Sequence, residues 1–600
     1  MASEPRGPND DIFESAFAPK LRLNGSPIPK RQITDDEERS AWIDEAPLPE
    51  PPPPPTDSDG FTRDADGRVT IELDPQVPEI VQAERATRAL AEDGRTWVRD
   101  CALYRVVGAT EEEQEESRWT DSRGRTRFAV RAGQPMMRPL SKVQLRGKLG
   151  TCCTWKRYIV KGKTADLQVT KPDVGIIEQV HELQSWPGIK RLVGIARTPF
   201  LRPDGTICQT PGYDAKTGYF LALSPDLVGL EVAECPTQDE ARAALSRLRS
   251  VFADFPYSDE SGYMVPIAAA LTLVARAAID GSTPGFAFDS AKGGEGKTLQ
   301  TDAVAMLATG EFAARSAYSS EEEEVRKALD AFAMIGADIV CLDDCKHAIG
   351  GSTIDTYLTA RDTIAVRVLG ENKHGPHKVP WRGVFMCTGV KLRTKGQTGR
   401  RLLFAKVVTG EVSPQLRTGF HIEGDLLDHC RDHRRGFVSD MLTVLRSYCA
   451  HGRPGAEECV WGSFQQWAEL VAGALRYAGG ADVLAARRET EAETNPEVAA
   501  LCQVLTLLMC HQSRWGGTVS SRQLLEELFE RSPGDDLAEL KDAIEALLPP
   551  HVKSKPSARS ITAAFQRYED DCQYVDGDVC GLSSMSTHDK SVRWYVKVRA

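Results

Sequence analysis

The sequence predicts an α/β core set between an N-terminal α+β unit and a C-terminal helical region that ends in a winged-helix-like module. Three observations predict it. Apolar strands alternate with helical stretches from Gly285 to about Val408. A glycine-rich run, AKGGEGKT at 291–298, falls where one strand gives way to a helix. A second apolar strand, Ala337 to Leu342, ends in two adjacent carboxylates, Asp343 and Asp344.

Around that core the chain is long enough for several units. At 600 residues it exceeds one hydrophobic core, and about 100–200 residues per domain gives three or four. The 74 Lys plus Arg against 86 Asp plus Glu leave a net charge of -12. That excludes a chain coated in basic residues for bulk nucleic-acid adsorption, while a local basic groove stays open. Fifteen cysteines show no repeated C-x-x-C pairing and no histidines at zinc-finger spacing, so they read as reduced thiols of a cytoplasm, bacterial or host. The N-terminus has no apolar core, and the most apolar later run, Val265 to Ala278, is short and carries Arg276, so no membrane segment is expected.

In chain order, residues 1–70 are rich in Pro, Asp, Glu and Ser and include Pro51 to Pro55; they predict a disordered arm with too little apolar surface to offset chain entropy. Residues 71–235 carry mixed strand and helix signals and predict an α+β domain with no clear role. Helical patterns over Gln238–Phe252 and Tyr263–Ile279 predict a helical collar at 236–284, ahead of the core at 285–410. A helical domain follows at 411–490. Residues 491–600 then predict helices near Arg522–Glu530, Leu537–Leu548 and Ala558–Tyr568 and a strand over Arg593–Val598, the pattern of a winged helix. Lys553, Lys555, Arg559 and Arg567 surround its third helix, which fits DNA contact and a plain packing module equally.

The glycine run has a specific chemistry. Phe286–Phe288 is a buried-strand signal and Leu299–Leu307 a helix signal, so Gly293, Gly294 and Gly296, with Glu295 between them, sit in a strand-to-helix turn where backbone N–H groups can close around phosphate oxygens. Lys297 would reach the β- and γ-phosphates of ATP, and the Thr298 hydroxyl would hold Mg²⁺. The pattern is A-x-x-x-x-G-K-T, with Ala291 in place of the usual first glycine. The carboxylates complete the set: Asp343 would orient the Mg²⁺ shell and Asp344 would polarise the attacking water. This is the pattern of a P-loop NTPase. Between loop and carboxylates, Ser320 with Glu323 predicts a capping box, which accounts for the acidic run at 321–324. His429 and His433 stand at a metal-compatible spacing, but Arg431, Arg434 and Arg435 beside them predict a solvated face.

The segment from Leu342 to Leu392, LDDCKHAIGGSTIDTYLTARDTIAVRVLGENKHGPHKVPWRGVFMCTGVKL, resembles superfamily 3 helicases of the AAA+ kind, found in papillomaviruses and polyomaviruses and in phage and plasmid replication proteins. The likeness covers roughly residues 285–410. It implies a hairpin with a Lys-His tip, Lys373-His374, between strands Ile364–Leu369 and Val379–Met386, contacting DNA in the channel of a ring. It implies a polar sensor at Thr388, because Val390 stands where the family places asparagine, and an arginine finger at Arg400 or Arg401. The activity implied is an ATP-dependent DNA helicase on single-stranded or forked DNA, working as a homo-oligomer, a hexamer by resemblance, with other replication proteins of a mobile genetic element. Two rivals stay open: a primase-helicase, for which residues 71–235 offer no clear D-x-D, and a nucleotide-switched origin-binding protein that does not unwind.

Overall fold

The computed structural model describes residues 62–599 apart from 75–76, 100–101, 121–125, 129, 162–163, 184, 367–376, 410–416, 488–495, 532–534, 550, 570–571, 576–577 and 587–591. Of the predicted N-terminal arm, residues 1–61 lie outside the described residues; residues 62–70 depart from the expectation, since Thr70 N bonds the Thr62 carbonyl at 2.8 Å and Val69 and Thr70 begin a buried strand.

The core begins with helices α1 (Gln238–Val251) and α2 (Glu260–Ala275), followed by strand β1 (Gly285–Ser290), helix α3 (Lys297–Thr309) and strand β2 (Arg315–Ala317). Next come helix α4 (Glu322–Ile335), strand β3 (Ile339–Asp343), helix α5 (Ser352–Thr359), and strands β4 (Thr363–Val366), β5 (His377–Pro380), β6 (Val384–Val390) and β7 (Leu402–Val407). Helices α6 (Leu426–Asp432) and α7 (Arg434–Ala450) close it. Five strands form one sheet in the order β2-β3-β6-β1-β7 with every pairing parallel. A parallel sheet must be covered on both faces, which is why β1 is buried along its whole length.

Alternate residues of the strands point to two different cores. Phe286, Phe288, Cys341, Met386, Leu403 and Ala405 face the side packed by α2, α3 and α7, whereas Ala287, Val340, Leu342, Phe385, Cys387 and Phe404 face α4, α5 and the β4–β5 hairpin. The first of these cores also takes in α1 and the helical stretch 465–478, so the helices before and after the sheet share one hydrophobic interior with it. Arg247 on α1 pairs with Asp440 on α7 at 2.5 Å. The run Glu260–Ala278 has the length and hydropathy of a membrane span, yet 72% of its apolar window is buried inside the fold, where it forms the floor of the sheet.

Four expectations need correction. The predicted strand Val379–Met386 is two strands: Pro380 has no N–H to continue a ladder, and Trp381 turns its N–H to the Asp362 carbonyl at 3.0 Å, so β5 ends and β6 starts afresh in the main sheet. The Ser320–Glu323 capping box is absent, since α4 starts at Glu322 with Glu321 at its cap; Glu322 reaches across to accept from Thr353 N at 2.8 Å and so caps α5. The solvated face at 429–435 holds for Asp432, His433 and Arg435, which are exposed, and fails at Arg434. Arg434 is only 2% exposed and donates to Thr198 Oγ1 at 2.6 Å and to Asp226 at 2.7 Å, fastening α7 to the preceding unit. His429 is partly buried, which with the neighbouring His433 lowers its pKa. The C-terminal unit holds a helix, Pro496–His511, and a strand pair, Cys572–Val575 with Asp578–Ser586, beyond the expected elements. Its sheet is four-stranded, and Ile561 and Phe565 of the helix Ala558–Arg567 pack under Trp594.

The N-terminal unit has a separate core. Strand Val69–Leu73 pairs in parallel with Cys153–Lys161, which pairs antiparallel with Thr164–Val169, and helices Glu79–Asp93, Lys142–Cys152 and Val174–Glu182 bury Leu90, Leu149 and Val180 against Trp155. No disulfide forms among the cysteines whose side chains are described.

Candidate nucleotide-binding site

Open α/β sheets present ligands with the carboxyl ends of their strands, and at that edge β1, β3 and β6 stand side by side. In register, Phe288 lies beside Thr388 and Leu342 beside Cys387, so the loop after β1, the Asp343 carboxylate and Thr388 meet.

The loop itself is shaped by two left-handed glycines. Gly294 has φ 86° and Gly296 φ 87°, a region that side chains rarely adopt, and a Cβ on Gly296 would come within 2.8 Å of the Phe255 ring. Gly293 differs: a Cβ there meets nothing within 4 Å, so its smallness is not demanded by the protein's own packing. Two carboxylates tie the loop to its neighbouring strands. Asp289, 4% exposed, accepts from Ser290 N and Leu392 N, each at 2.8 Å, and burial raises its pKa. Glu295, 5% exposed, accepts from Lys292 N at 3.0 Å and from Thr409 N and Oγ1 at 3.1 and 2.7 Å; burial opposes its ionisation, but these donors prevail and hold its carboxyl below the usual range. Ala291 N bonds the Val407 carbonyl at 3.3 Å, at the other flank.

Lys297 and Thr298 open α3, whose first N–H groups face the loop. Thr298 Oγ1 donates to Asp343 Oδ1 at 3.3 Å, and Thr388 Oγ1 donates to the same oxygen at 2.5 Å. Asp344 has φ 51°, and its N–H donates to Thr388 Oγ1 at 3.0 Å while its carboxylate points outward to Lys346 at 3.3 Å. Two hydroxyls and a carboxylate thus converge at the foot of the helix, a set of oxygen donors that suits a hard divalent cation such as Mg²⁺. The loop and helix start suit the phosphates of a nucleotide such as ATP.

The other sequence candidates fall elsewhere. Lys373 and His374 lie outside the described residues; the hairpin root below them, β4 with β5, is held by Trp381, whose Nε1–H donates to the Tyr357 carbonyl at 2.9 Å. Arg400 and Arg401 are on a short 3-10 turn, Gly399–Arg401, just ahead of β7, where Arg401 N bonds back to the Thr398 carbonyl at 2.9 Å. Arg400 is exposed, and Arg401 is ion-paired to Asp355 of α5 at 2.8 Å. Val390 is 38% exposed at the end of β6.

Sequence reasoning missed Arg315 on β2, which pairs with Asp302 of α3 and stands 3.4 Å from Asp343 Oδ2. It missed as well the roles of Asp289 and Glu295. Only the acidic character of positions 289 and 295, inside an otherwise small-residue stretch, hinted at them.

The parallel sheet, the strand-to-helix loop and the carboxylate at the next strand end define an α/β NTPase-like core. No protein-family model matches the sequence, and no curated protein does. Among solved structures the chain is similar to the apo A form of the NrS-1 C-terminal region, at 12% identity over 74% of this chain and 93% of that one, with a TM-score of 0.33. It is similar to another apo A-form structure of that region, residues 305-718, at 12% identity over 76% and 99%, with a TM-score of 0.30. An active helicase, Cch of SCCmec type IV, gives 10% identity over 73% and 85%, with a TM-score of 0.26. At these values the likenesses carry no argument, and the site rests on its own geometry.

Proposed function

We propose that the chain is an ATP-dependent DNA helicase or translocase of the superfamily 3 kind, working as a ring of identical subunits on single-stranded or forked DNA in the replication of a mobile genetic element, in the cytoplasm of its host. The observation that carries the reading is the convergence of Thr298, Thr388 and Asp343 beneath a loop with two left-handed glycines. A structural turn has no need of that set, whereas a nucleotide with its cation does.

A divalent cation bound there would supply charge neutralisation at the phosphates. The chain's own residues do the rest. The left-handed turns at Gly294 and Gly296 would let the loop N–H groups close around phosphate oxygens, and Lys297 adds a positive charge at the helix start. Thr298 and Asp343 would hold the cation, Thr388 keeps Asp343 oriented, and the role of orienting a water would fall to Asp344. The DNA-contacting role belongs in this reading to Lys373 and His374, which fall in sequence between β4 and β5. The transfer to a neighbouring subunit belongs to Arg400, which is exposed where Arg401 is engaged within its own chain.

The test is ATP hydrolysis with and without single-stranded DNA, together with unwinding of a forked duplex. Stimulated hydrolysis with strand separation is expected. Hydrolysis that ignores DNA and separates no strands would overturn the motor reading and favour a nucleotide-switched DNA-binding protein.

A further inference from the structure

Arg315 stands at the candidate site without a part in the reading above. It is the first residue of β2, its side chain is 20% exposed, and its two guanidinium arms go to different carboxylates. Nη2 is ion-paired with Asp302 on the second turn of α3, itself 14% exposed. Nη1 stands 3.4 Å from Asp343 Oδ2. Charge-assisted N–H···O bonds close at about 2.7–2.9 Å, so the arginine is committed to Asp302 and only leans toward Asp343. The opposite oxygen of Asp343 is the one that takes Thr388 and Thr298.

A guanidinium is permanently charged and its fork matches a carboxylate in two parallel bonds. Left free beside Asp343, it would close on both carboxylate oxygens and occupy the ligand a divalent cation needs. What prevents this is the anchor at Asp302. We propose that Asp302 and Arg315 form a gate on the divalent-cation site: Asp302 holds the guanidinium to a single long contact with Asp343 Oδ2, so that Asp343 is oriented by the positive charge yet remains open to the cation. Both are positioning residues that act through Asp343. The proposal rests on the reading of Asp343 as the cation-holding carboxylate.

The experiment measures binding of a fluorescent ADP to the full-length protein as Mg²⁺ is titrated, with no turnover involved, for wild type, Asp302→Asn, Arg315→Gln and the double variant. Thermal melting of each confirms folding, and Asp302→Ser replaces Asp302→Asn should that variant melt below the assay temperature. Asp302→Asn is expected to raise the Mg²⁺ half-saturation about tenfold, within the usual range of coupling between contacting residues. Arg315→Gln is expected to leave it at or below the wild-type value. The gate predicts that the double variant returns to within about 3-fold of Arg315→Gln, because with no arginine there is nothing for Asp302 to hold back. A purely structural Asp302, or one acting only by its charge through space, shifts the half-saturation equally in both backgrounds, and that result overturns the gate. Wild-type ADP affinity that is indifferent to Mg²⁺ overturns the assignment of Asp343, and the gate with it, so the two failures are distinguishable.

Discussion

The Thr388 hydroxyl donates to the Asp343 carboxylate at 2.5 Å and accepts from the Asp344 N–H at 3.0 Å, so a single buried side chain fixes both members of the carboxylate pair. The second bond matters because Asp344 sits at φ 51°, a left-handed backbone that costs a non-glycine residue energy unless its surroundings impose it. Thr388 therefore does two things: it aims Asp343 at Thr298, and it pins the turn that sends Asp344 outward. Thr388→Val keeps the shape and removes both bonds. The variant should fold, and its ATP hydrolysis should fall about 10- to 100-fold, the usual effect of losing a partner that orients a metal-ligating group. A steady-state rate within about 2-fold of wild type, a change worth under about 0.5 kcal/mol, would remove Thr388 from the site.

Lys297 begins α3 beside the loop and belongs to no core. Lys297→Ala should melt at the wild-type temperature while hydrolysis falls about 100-fold or more, the scale of loss when one preorganised positive or donor group is withdrawn from developing charge. Unchanged steady-state hydrolysis would end the phosphate-loop assignment.

Much of this site is legible in the sequence because its parts are local. The apolar run of β1 stops in glycines and a helix begins at once, so Ala291 to Thr298 announce themselves within one short stretch. The strand before Asp343 is equally plain, being apolar and bounded by a glycine and a carboxylate pair. What the sequence hides is made by register between distant strands. Arg315 meets Asp343 only because β2 lies next to β3, with Arg315 opposite Cys341. Glu295 reaches Thr409 only because β7 lies next to β1. Arg434 reads as a surface charge among other charges, yet folding buries it against Thr198 and Ala308. Apolar periodicity likewise ran β5 and β6 together, since Trp381 is apolar on either side of the turn that separates them.

Glu295 gives a pH-dependent prediction. Burial alone would raise its pKa, but the Lys292 and Thr409 donors lower it below the unfolded value, so its ionised form stabilises the folded state. A depressed folded pKa contributes stability that is fully present above the unfolded value of about 4.3 and is lost as the pH falls through the lower folded value. Glu295→Gln should therefore lower the melting temperature at pH 7, and the gap to wild type should narrow as the pH is brought below about 4. Thermal scans at several pH values would show it. A gap that stays constant down to the acid limit would mean that the charge of Glu295 does not contribute.

Lys373 and His374 lie outside the described residues, but the strand pair β4–β5 that flanks them in sequence is clamped: Trp381 packs edge-on against Tyr357 at 4.8 Å, and Tyr357 donates to Asp330 at 2.5 Å. Lys373 and His374 are the residues that the helicase resemblance assigns to DNA contact. Replacing both with alanine should leave basal ATP hydrolysis unchanged, abolish unwinding and weaken single-stranded DNA binding. Because such cations act on phosphates, the slope of log affinity against log salt should fall by about 1 for each one lost. Equal affinities and equal slopes at two salt concentrations would remove the tip from the DNA path.

Arg400 and Arg401 are neighbours in sequence with different circumstances. Arg401 is 13% exposed and pairs at 2.8 Å with Asp355, which also accepts from Thr398 Oγ1 at 2.8 Å, so its charge is spent on α5 of its own subunit. Since α5 also carries Tyr357, Arg401 supports the helix on which the hairpin root leans. Arg400 is exposed on the same 3-10 turn and is the better candidate for stabilising charge on the γ-phosphate of a neighbouring subunit, a role suited to a permanently charged, forked group. A residue acting in trans has a consequence that one acting in cis lacks. Arg400→Ala and Lys297→Ala should each be inactive alone, yet if the proposed ring forms, one assembled from both would contain interfaces that pair an intact loop with an intact arginine. Mixing the two proteins across a range of ratios, after a labelled subunit has shown that exchange takes place, should restore part of the ATP hydrolysis, with a maximum near equal amounts. Arg401→Ala serves as the contrast: acting within its own chain, it should lower the melting temperature and weaken unwinding. Exchange without recovery at any ratio would count against Arg400 as the trans residue, and recovery with Arg401→Ala in its place would transfer the role to Arg401.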